Sequence, residues 1–442
     1  MSNELISIIV LVAIFVIGTT MPINMGVLGI VAAFAVGTAM GVSEDDLFLG
    51  FPGDLFIILV GVTYLFGIAS GNGTVNWVVH ASVRAVGGRV ALIPWVMFLI
   101  TAVLTASGAV VPGAVAIVVP IAISFGLTYG INPVLMGLMV VNGATAGGFS
   151  PISVFGSIVN GVVERNDLAE NATLLFVSSF VFNALLSVVV FFMFGGRDLI
   201  RRKVEVPESS GRFERSVEEK AETTGARPMA GGSAMAAEAQ EVPPLTRDMV
   251  LTLIGIVVLI GVALAFDVDV GFVALSIALV LSLISPQATK NAVSKVAWPT
   301  VLLICGIVTY VSLMETLGTI EWLGDQVATI GAAMFAALLI CYVGGAVSAF
   351  ASTTGILGAL IPLAVPFLQT GAVGAVGLII ALSISSSVVD SSPFSTSGAL
   401  TVANTPEEKR DYVFKRLMRW GMSMVVIAPF LAWLIFVVPG WL

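Results

Sequence analysis

Long apolar runs constrain this 442-residue chain more than any other feature. A membrane-spanning helix needs about 20 predominantly apolar residues, and runs of that kind recur from one end of the sequence to the other. Only 10% of the residues are charged, against roughly 25% in soluble globular domains. The sequence therefore excludes a soluble protein and predicts an all-α polytopic membrane protein. The run at 5–21 is expected to be its first membrane helix, because no basic segment precedes the run and no cleavage site follows it.

The runs repeat in two halves of the chain. Gly26 and Gly61 match Gly271 and Gly306 at an offset of 245 residues, and SPISVFG at 150–156 matches SPFSTSG at 392–398 at an offset of 242. The first half has apolar runs at 5–21, 24–42, 54–70, 90–107, 109–126, 131–163 and 172–196, and the second half has them at 249–266, 269–285, 299–315, 331–349, 352–368, 371–404 and 420–438. Two steady offsets indicate an internal duplication.

The duplication divides the chain into three parts. Residues 1–196 and 249–442 are predicted to form two membrane repeats, and 197–248 a flexible polar linker that is too poor in apolar residues to fold alone. The number of crossings per half is odd, so the second repeat is inverted relative to the first. We expect about ten transmembrane helices and two hairpins, which either re-enter the membrane or span it.

The basic residues predict the orientation. If the linker lies in the cytoplasm, every lysine and arginine except Arg165 falls on that side, as short cytoplasmic loops require. Both termini then lie outside. The net charge of −8 belongs to the loops and excludes a nucleic-acid-binding surface.

The glycine-rich interruptions at 142–156 and 388–400 are the strongest local signal for a binding site. Ser150-Pro151 and Ser392-Pro393 each supply a hydroxyl for an N-cap, followed by the proline favoured at the first helical position. We therefore expect each interruption to break a helix near the midplane and to begin a half-helix there. The unpaired N–H groups of two such starts suit an anion. Glycine kinks that only allow close helix packing are the alternative.

Two hydroxyl-bearing turns join the paired runs. Ser107-Gly108 and Ser352-Thr353-Thr354 are expected at hairpin tips, where their oxygens could bind substrate or a sodium ion. Alternatively, the hydroxyls bond back to carbonyls of their own helices. For Ser107 the two interpretations are equally supported, whereas function is favoured at 352–354.

Asp390 is the one ionisable residue placed within the membrane. A charge there costs roughly 2.5 to 3.5 kcal/mol on insertion scales, so it is expected to face a cavity or a partner. Three roles are open: it ligates a cation, carries a proton, or caps the helix that begins at Pro393. Its counterpart in the first half is Gly148, so Asp390 lies outside the symmetric part of the site.

Enzyme function is not expected. An intramembrane serine protease needs a membrane histidine, and an aspartyl protease needs two membrane carboxylates. The sequence offers neither set. Inverted repeats with broken helices favour alternating access over a channel.

The sequence resembles the MatC-type dicarboxylate and malonate carriers, within the ion-transporter superfamily that includes the divalent anion:sodium symporters. The resemblance lies in GVTYLFGIASGNGTV (61–75), LMGLMVVNGATAGGFSPISVFG (135–156) and, more loosely, STTGILGALIP (352–362). It implies that substrate and cation sites are lined by Ser107, Gly108, Asn142, Thr145, Ser150, Ser153, Ser352, Thr353, Thr354, Ser392 and Ser395.

The resemblance implies a secondary active transporter of the cell inner membrane that carries malonate or a C4-dicarboxylate. Transport would be coupled to sodium or protons, with Asp390 as the coupling residue. No organic cofactor is expected, and no metal beyond a sodium ion. The expected partners are the substrate and the lipid bilayer, and a homodimer is compatible with the sequence. The alternative function is the sodium/proton antiport of other members of the superfamily.

Overall fold

The computed structural model describes residues 3–85, 89–166, 168–169, 171–201, 244–265, 268–319, 322, 333–349, 353–369, 371 and 373–440. These residues form twenty α-helices, and none of them forms a β-strand. The predicted all-α fold class of two inverted repeats is confirmed. Most of the 197–248 linker, namely 202–243, lies outside the described residues.

The first half contains eleven of the described helices. They are α1 (Asn3–Thr20), α2 (Met25–Ala39), α3 (Glu44–Leu49), α4 (Gly53–Gly71), α5 (Thr74–Ala85), α6 (Ile93–Ala106), α7 (Val111–Thr128), α8 (Pro133–Gly147), α9 (Val154–Arg165), α10 (Ala172–Met193) and α11 (Gly196–Arg201). The broken run at 131–163 is thus the pair α8 and α9, and the paired runs at 90–126 are the hairpin α6–α7.

The second half follows the same order. Its described helices are α12 (Arg247–Ala265), α13 (Val270–Ile284), α14 (Pro286–Thr289), α15 (Trp298–Thr316), α16 (Ala333–Ser348), α17 (Thr353–Gln369), α18 (Ala375–Val388), α19 (Thr396–Ala403) and α20 (Glu407–Phe436). A 3₁₀ turn at Val389–Ser391 follows α18. Helix α20 begins thirteen residues before the predicted run at 420, because its first turns are charged and lie outside the apolar stretch.

Six described helices are long and apolar enough to cross a membrane. They are Gly53–Gly71, Val111–Thr128, Ala172–Met193, Trp298–Thr316, the broken helix Ala375–Ala403, and Glu407–Phe436. Shorter apolar helices, α1 and α2 among them, complete the bundle. On α10 the side chains of Val177, Val181 and Leu185 are exposed, as a lipid-facing surface requires.

Glycine contacts relate the two halves by a pseudo-two-fold axis. Helix α2 packs on α15, and α13 packs on α4. In the first pair Gly306 faces Gly26, where an added Cβ would lie 1.9 Å from the Gly26 carbonyl oxygen. In the second pair an added Cβ on Gly61 would lie 2.4 Å from the Gly271 carbonyl oxygen. Because Gly26 corresponds to Gly271 and Gly61 to Gly306 in the repeat, the two contacts are copies of one another.

The same symmetry relates the elements around the helix breaks. Helix α9 packs against α17 of the second hairpin, and its counterpart α19 packs against α7 of the first hairpin. Each half-helix therefore contacts the hairpin of the opposite repeat. This exchange places residues from both halves around the middle of the bundle.

Candidate functional site

The first helix break is held by hydrogen bonds around Ser153. Its Oγ accepts from the Gly156 N–H at 3.3 Å, so Ser153 is the N-cap of α9. The same hydroxyl donates to the carbonyls of Ser150, at 2.7 Å, and Gly148. An added Cβ on Gly156 would lie 1.9 Å from the Ser150 carbonyl oxygen. Only glycine thus lets the loop lie directly over the start of the half-helix.

The second break repeats this arrangement. Ser395 is the N-cap of α19, and its Oγ accepts from the Gly398 N–H at 3.4 Å. The hydroxyl also lies 2.6 Å from the carbonyl oxygens of Ser392 and Asp390. An added Cβ on Gly398 would lie 1.8 Å from the Ser392 carbonyl oxygen. The same hydrogen-bonded helix break therefore occurs in both repeats.

The prediction that Ser150 and Ser392 are the N-caps is wrong by three residues. The structure places Ser153 and Ser395 in that role, and the Ser-Pro pairs lie in the preceding loop. Ser392 Oγ accepts from the Phe394 N–H at 3.3 Å, which closes a turn within this loop. The carbonyls of Ser150 and Ser392 each accept from the backbone N–H and lie within hydrogen-bonding distance of the hydroxyl of the serine three residues later.

Asp390 is buried and reaches the first turn of α19. Its Oδ2 accepts from Ser397 Oγ at 2.5 Å, and its carboxylate also meets the Ser397 backbone N–H. The interpretation that Asp390 caps a helix beginning at Pro393 is wrong, since the helix begins at Thr396 with Ser395 as its cap. The carboxylate nevertheless lies at the positive end of this half-helix.

This carboxylate makes the two breaks electrostatically unequal. The negative charge of Asp390 offsets the positive end of α19, whereas Gly148 at the equivalent position leaves the start of α9 without such a charge. The start of α9 is therefore the better place for a substrate anion. The start of α19 is suited to a cation or a proton.

The first hairpin tip lies against the first break. Gly108 has a φ of +114° and ends the turn after α6. An added Cβ there would lie 2.3 Å from Val62 and 3.4 Å from the Ile152 carbonyl oxygen. Ser107 Oγ donates to the Val103 carbonyl at 2.7 Å, so this hydroxyl does bond back to its own helix. Its oxygen retains lone pairs for a ligand.

The second hairpin tip is described only in part, since Ser352 lies outside the described residues. Thr353 and Thr354 are buried at the start of α17. The Oγ atoms of Thr353 and Ser348 lie 3.0 Å apart, which joins the two arms of the hairpin. Helix α16 also packs against the 3₁₀ turn that contains Asp390.

The remaining two predicted residues lie on α8. Thr145 Oγ1 donates to the Val141 carbonyl at 3.0 Å, within its own helix. Asn142 Nδ2 donates to Ser187 Oγ on α10 at 3.2 Å. Asn142 therefore points toward α10.

All predicted site residues that the structure describes are buried. The exposed fraction is 6% at Ser150, 3% at Asp390 and lower still at the two caps. These side chains are thus shielded in this conformation, although Pro151 in the first break and Phe394 and Thr396 in the second are exposed.

A cavity of about 320 Å³ lies at the C-terminal end of α9. Arg165, Asn166, Ser312 and Glu315 contribute its polar lining. Arg165 forms an ion pair with Asp54 at the start of α4. Partial burial lowers the pKa of the Arg165 guanidinium, although an arginine remains charged at any physiological pH. This ion pair ties the half-helix to the first-half bundle.

Two groups of polar residues were missed by sequence reasoning. Ser397 was not singled out, although it donates to Asp390. Ser179, Asn183 and Ser187 on α10 were also missed, and all three are fully buried. Their spacing of four residues in an otherwise apolar helix was the available signal, because such residues share one helix face.

Comparison with known families agrees with this architecture. Residues 1–148 match the family described as the dicarboxylate carrier protein MatC N-terminus. Residues 270–440 match the family described as citrate transporter. No curated protein sequence matches the chain significantly.

Among solved structures, 17 chains match significantly. One is the crystal structure of the Alcanivorax borkumensis YdaH transporter, with a TM-score of 0.54 and 16% sequence identity over 88% of this chain and 86% of that chain. At this identity the likeness is one of fold. The predicted resemblance is confirmed by the two family matches, and the chain is a multi-pass membrane transporter.

Proposed function

We propose that this protein is a secondary active transporter that carries a small dicarboxylate, malonate or a C4-dicarboxylate, by alternating access. The observation that carries the proposal is the pair of buried half-helix starts, capped by Ser153 and Ser395 at equivalent positions of the two repeats. The family matches to dicarboxylate and citrate carriers support it.

The substrate is bound by polar groups of both halves. One carboxylate lies at the start of α9, where the free N–H groups of the first turn and the hydroxyl of Ser150 donate to it. Among the described residues of the broken helices and hairpins, the one lysine or arginine is Arg165, which lies at the far end of α9 from the break and is paired with Asp54. The charge of the anion is therefore balanced by helix ends and by a coupling cation, sodium or a proton, at Asp390.

Uptake into proteoliposomes tests this function directly. With labelled malonate or succinate outside, an inward sodium or proton gradient is expected to drive accumulation above the equilibrium level. Each gradient is imposed alone at zero membrane potential, and protein-free liposomes serve as the control. Proton-driven sodium efflux with no movement of either dicarboxylate would contradict the proposal and support sodium/proton antiport.

We also propose that both termini lie outside the inner membrane and that the 197–248 linker is cytoplasmic. The two native cysteines, Cys305 and Cys341, are buried, so single added cysteines are expected to dominate labelling. Asp45→Cys in α3 is expected to react with an impermeant maleimide in intact cells, whereas Lys220→Cys in the linker reacts only after permeabilisation. The reverse pattern would contradict this orientation.

A further inference from the structure

Three exposed arginines lie at one corner of the helix bundle. Arg89 directly precedes the apolar helix Val90–Ala106, and Arg197 and Arg201 lie in α11, just after the membrane-spanning helix α10. All three side chains are exposed. Both segments therefore lie at the boundary between the lipid core and water. We call these three residues the arginine corner.

Apolar contacts hold the two segments of the arginine corner together. Helix α11 packs against the 3₁₀ turn Val90–Leu92, and the side chains of Leu199 and Val90 are buried. Gly195, with a φ of +102°, turns the chain sharply between α10 and α11. The two arginines of α11 therefore lie near the segment that begins at Arg89.

The arginine corner is basic in a chain whose net charge is −8. Among the described residues, none of its arginines forms an ion pair with a carboxylate. Asp198 is the one acidic residue within 89–92 and 196–201, so three arginines against one aspartate leave two positive charges. Guanidinium groups bind phosphate through several N–H donors at once. The corner is thus suited to a phosphate group.

Exposed apolar side chains lead from this corner toward the middle of the membrane. They form one row on α6 with the turn before it and a second row on α10, and each is between 38% and 62% exposed. The first row extends over eleven residues, or about 16 Å. Half of the hydrocarbon core of a bilayer is about 15 Å thick, so the row has the length of one leaflet. The residues are Leu92, Leu99 and Val103 in the first row and Leu185, Val188 and Phe192 in the second.

The two rows lie beside each other because aromatic rings join α6 to α10. The ring centroids of Trp95 and Phe191 are 5.7 Å apart, and those of Phe98 and Phe180 are 5.9 Å apart. The guanidinium of Arg197 lies 5.9 Å from the centroid of the Phe192 ring. A positive charge and an apolar surface therefore meet at the linker end of α10.

We propose that the arginine corner binds an anionic phospholipid of the leaflet on the linker side. The phosphate accepts hydrogen bonds from Arg89, Arg197 and Arg201, and the acyl chains lie along the two apolar rows. A free phosphate ion would use the arginines alone, and the choline group of phosphatidylcholine would meet their positive charge. The combination of both surfaces thus selects an anionic lipid.

The bound lipid would fasten α11 to the base of the first hairpin. Helix α6 is the first arm of that hairpin and packs along α8, which leads to the first break. A lipid held by both segments would stabilise this part of the bundle, because a ligand that binds only the folded state favours it. The inference does not depend on which substrate is carried, so its failure would leave the proposed function intact.

Lipid binding is measured by native mass spectrometry of the purified protein. Dioleoyl phosphatidylglycerol is expected to bind at least about tenfold more tightly than dioleoyl phosphatidylcholine, since each basic residue near an anionic surface contributes about fivefold in affinity. The triple variant Arg89→Gln, Arg197→Gln, Arg201→Gln should lose this preference. The matched control is Lys290→Gln, Lys409→Gln, Arg410→Gln, which removes the same charge at exposed positions outside the corner and should retain it.

Several results would overturn the proposal. Equal affinity for the two lipids in the unmodified protein would do so even where the triple variant does not fold. An equal loss in the control variant would show attraction by overall charge. Inorganic phosphate that raises the melting temperature as much as phosphatidylglycerol does would exclude a role for the apolar rows. A dimer that takes up no phosphatidylglycerol would show that a second copy of the chain covers this face.

Discussion

Gly306→Ala is expected to abolish the folded protein or to destabilise it by at least about 3 kcal/mol. The added Cβ would lie 1.9 Å from the carbonyl oxygen of Gly26 and 2.6 Å from its Cα. Both contacts are with backbone atoms, so no side-chain rotation can relieve them. Helices α2 and α15 would have to separate, and this pair joins the two repeats.

The pseudo-two-fold axis predicts the same sensitivity at the second copy of the contact. An added Cβ on Gly271 would lie 2.6 Å from backbone atoms of Ile57 and Ile58. Gly271→Ala is therefore expected to match Gly306→Ala in its effect. Small residues at helix contacts allow this close approach in membranes, where packing rather than water exclusion drives association.

Gly261→Ala is the control for this prediction. Gly261 lies within α12, and an added Cβ there would meet no atom within 4 Å. Its substitution should be neutral or slightly stabilising, because a glycine inside a helix costs roughly 0.5–1 kcal/mol relative to alanine. Thermal unfolding in detergent and the monodisperse fraction after size-exclusion chromatography measure the effects. A Gly306→Ala protein as stable as the Gly261→Ala protein would show that the α2–α15 contact is wrong.

The repeat was the part of the fold most accessible from sequence. The glycine matches at constant offset predicted the duplication, and the structure shows why they recur: Gly26 and Gly306 form one contact, and Gly271 and Gly61 form its copy. Apolar runs located the helices because lipid requires them to be apolar along most of their length. The start of α20 was missed since its charged first turns carry no such signal.

The breaks were located correctly, but their caps were not. Ser-Pro predicted a helix start at the serine, whereas the loop continues for three residues to Ser153 and Ser395. The pattern that decides the position is a serine followed three residues later by glycine, as in Ser153 with Gly156 and Ser395 with Gly398. Glycine is required because the loop carbonyl passes within 2 Å of the place its Cβ would occupy.

The polar face of α10 could be seen only in part from sequence. The four-residue spacing of Ser179, Asn183 and Ser187 places them on one face, but it does not say which helix that face meets. The hydrogen bond from Asn142 to Ser187 shows that the face meets α8, 45 residues earlier in the same repeat.

Asp390→Asn is expected to abolish the dependence of uptake on the driving gradient. Asparagine keeps an oxygen that can accept from Ser397 Oγ, as Asp390 does at 2.5 Å, so the start of α19 should stay intact. The substitution removes both the charge and the site for a proton. Gradient-driven uptake should fall to the level of protein-free liposomes, because no group at this position then binds the coupling ion. Exchange of labelled for unlabelled dicarboxylate should survive, because the proposed anion site is at the start of α9.

Asp269→Asn is the matched control for Asp390→Asn. Asp269 also lies at a helix start, where its Oδ1 accepts from the Phe272 N–H at 3.0 Å, but it is at the exposed end of α13. This variant should retain both gradient-driven uptake and exchange, since Asn is as good an N-cap as Asp. Three quantities are measured for each variant: uptake under imposed sodium and proton gradients, exchange at equilibrium, and the melting temperature. Unaltered gradient dependence in Asp390→Asn would show that coupling lies elsewhere, and loss of exchange with an unchanged melting temperature would make Asp390 part of the substrate site.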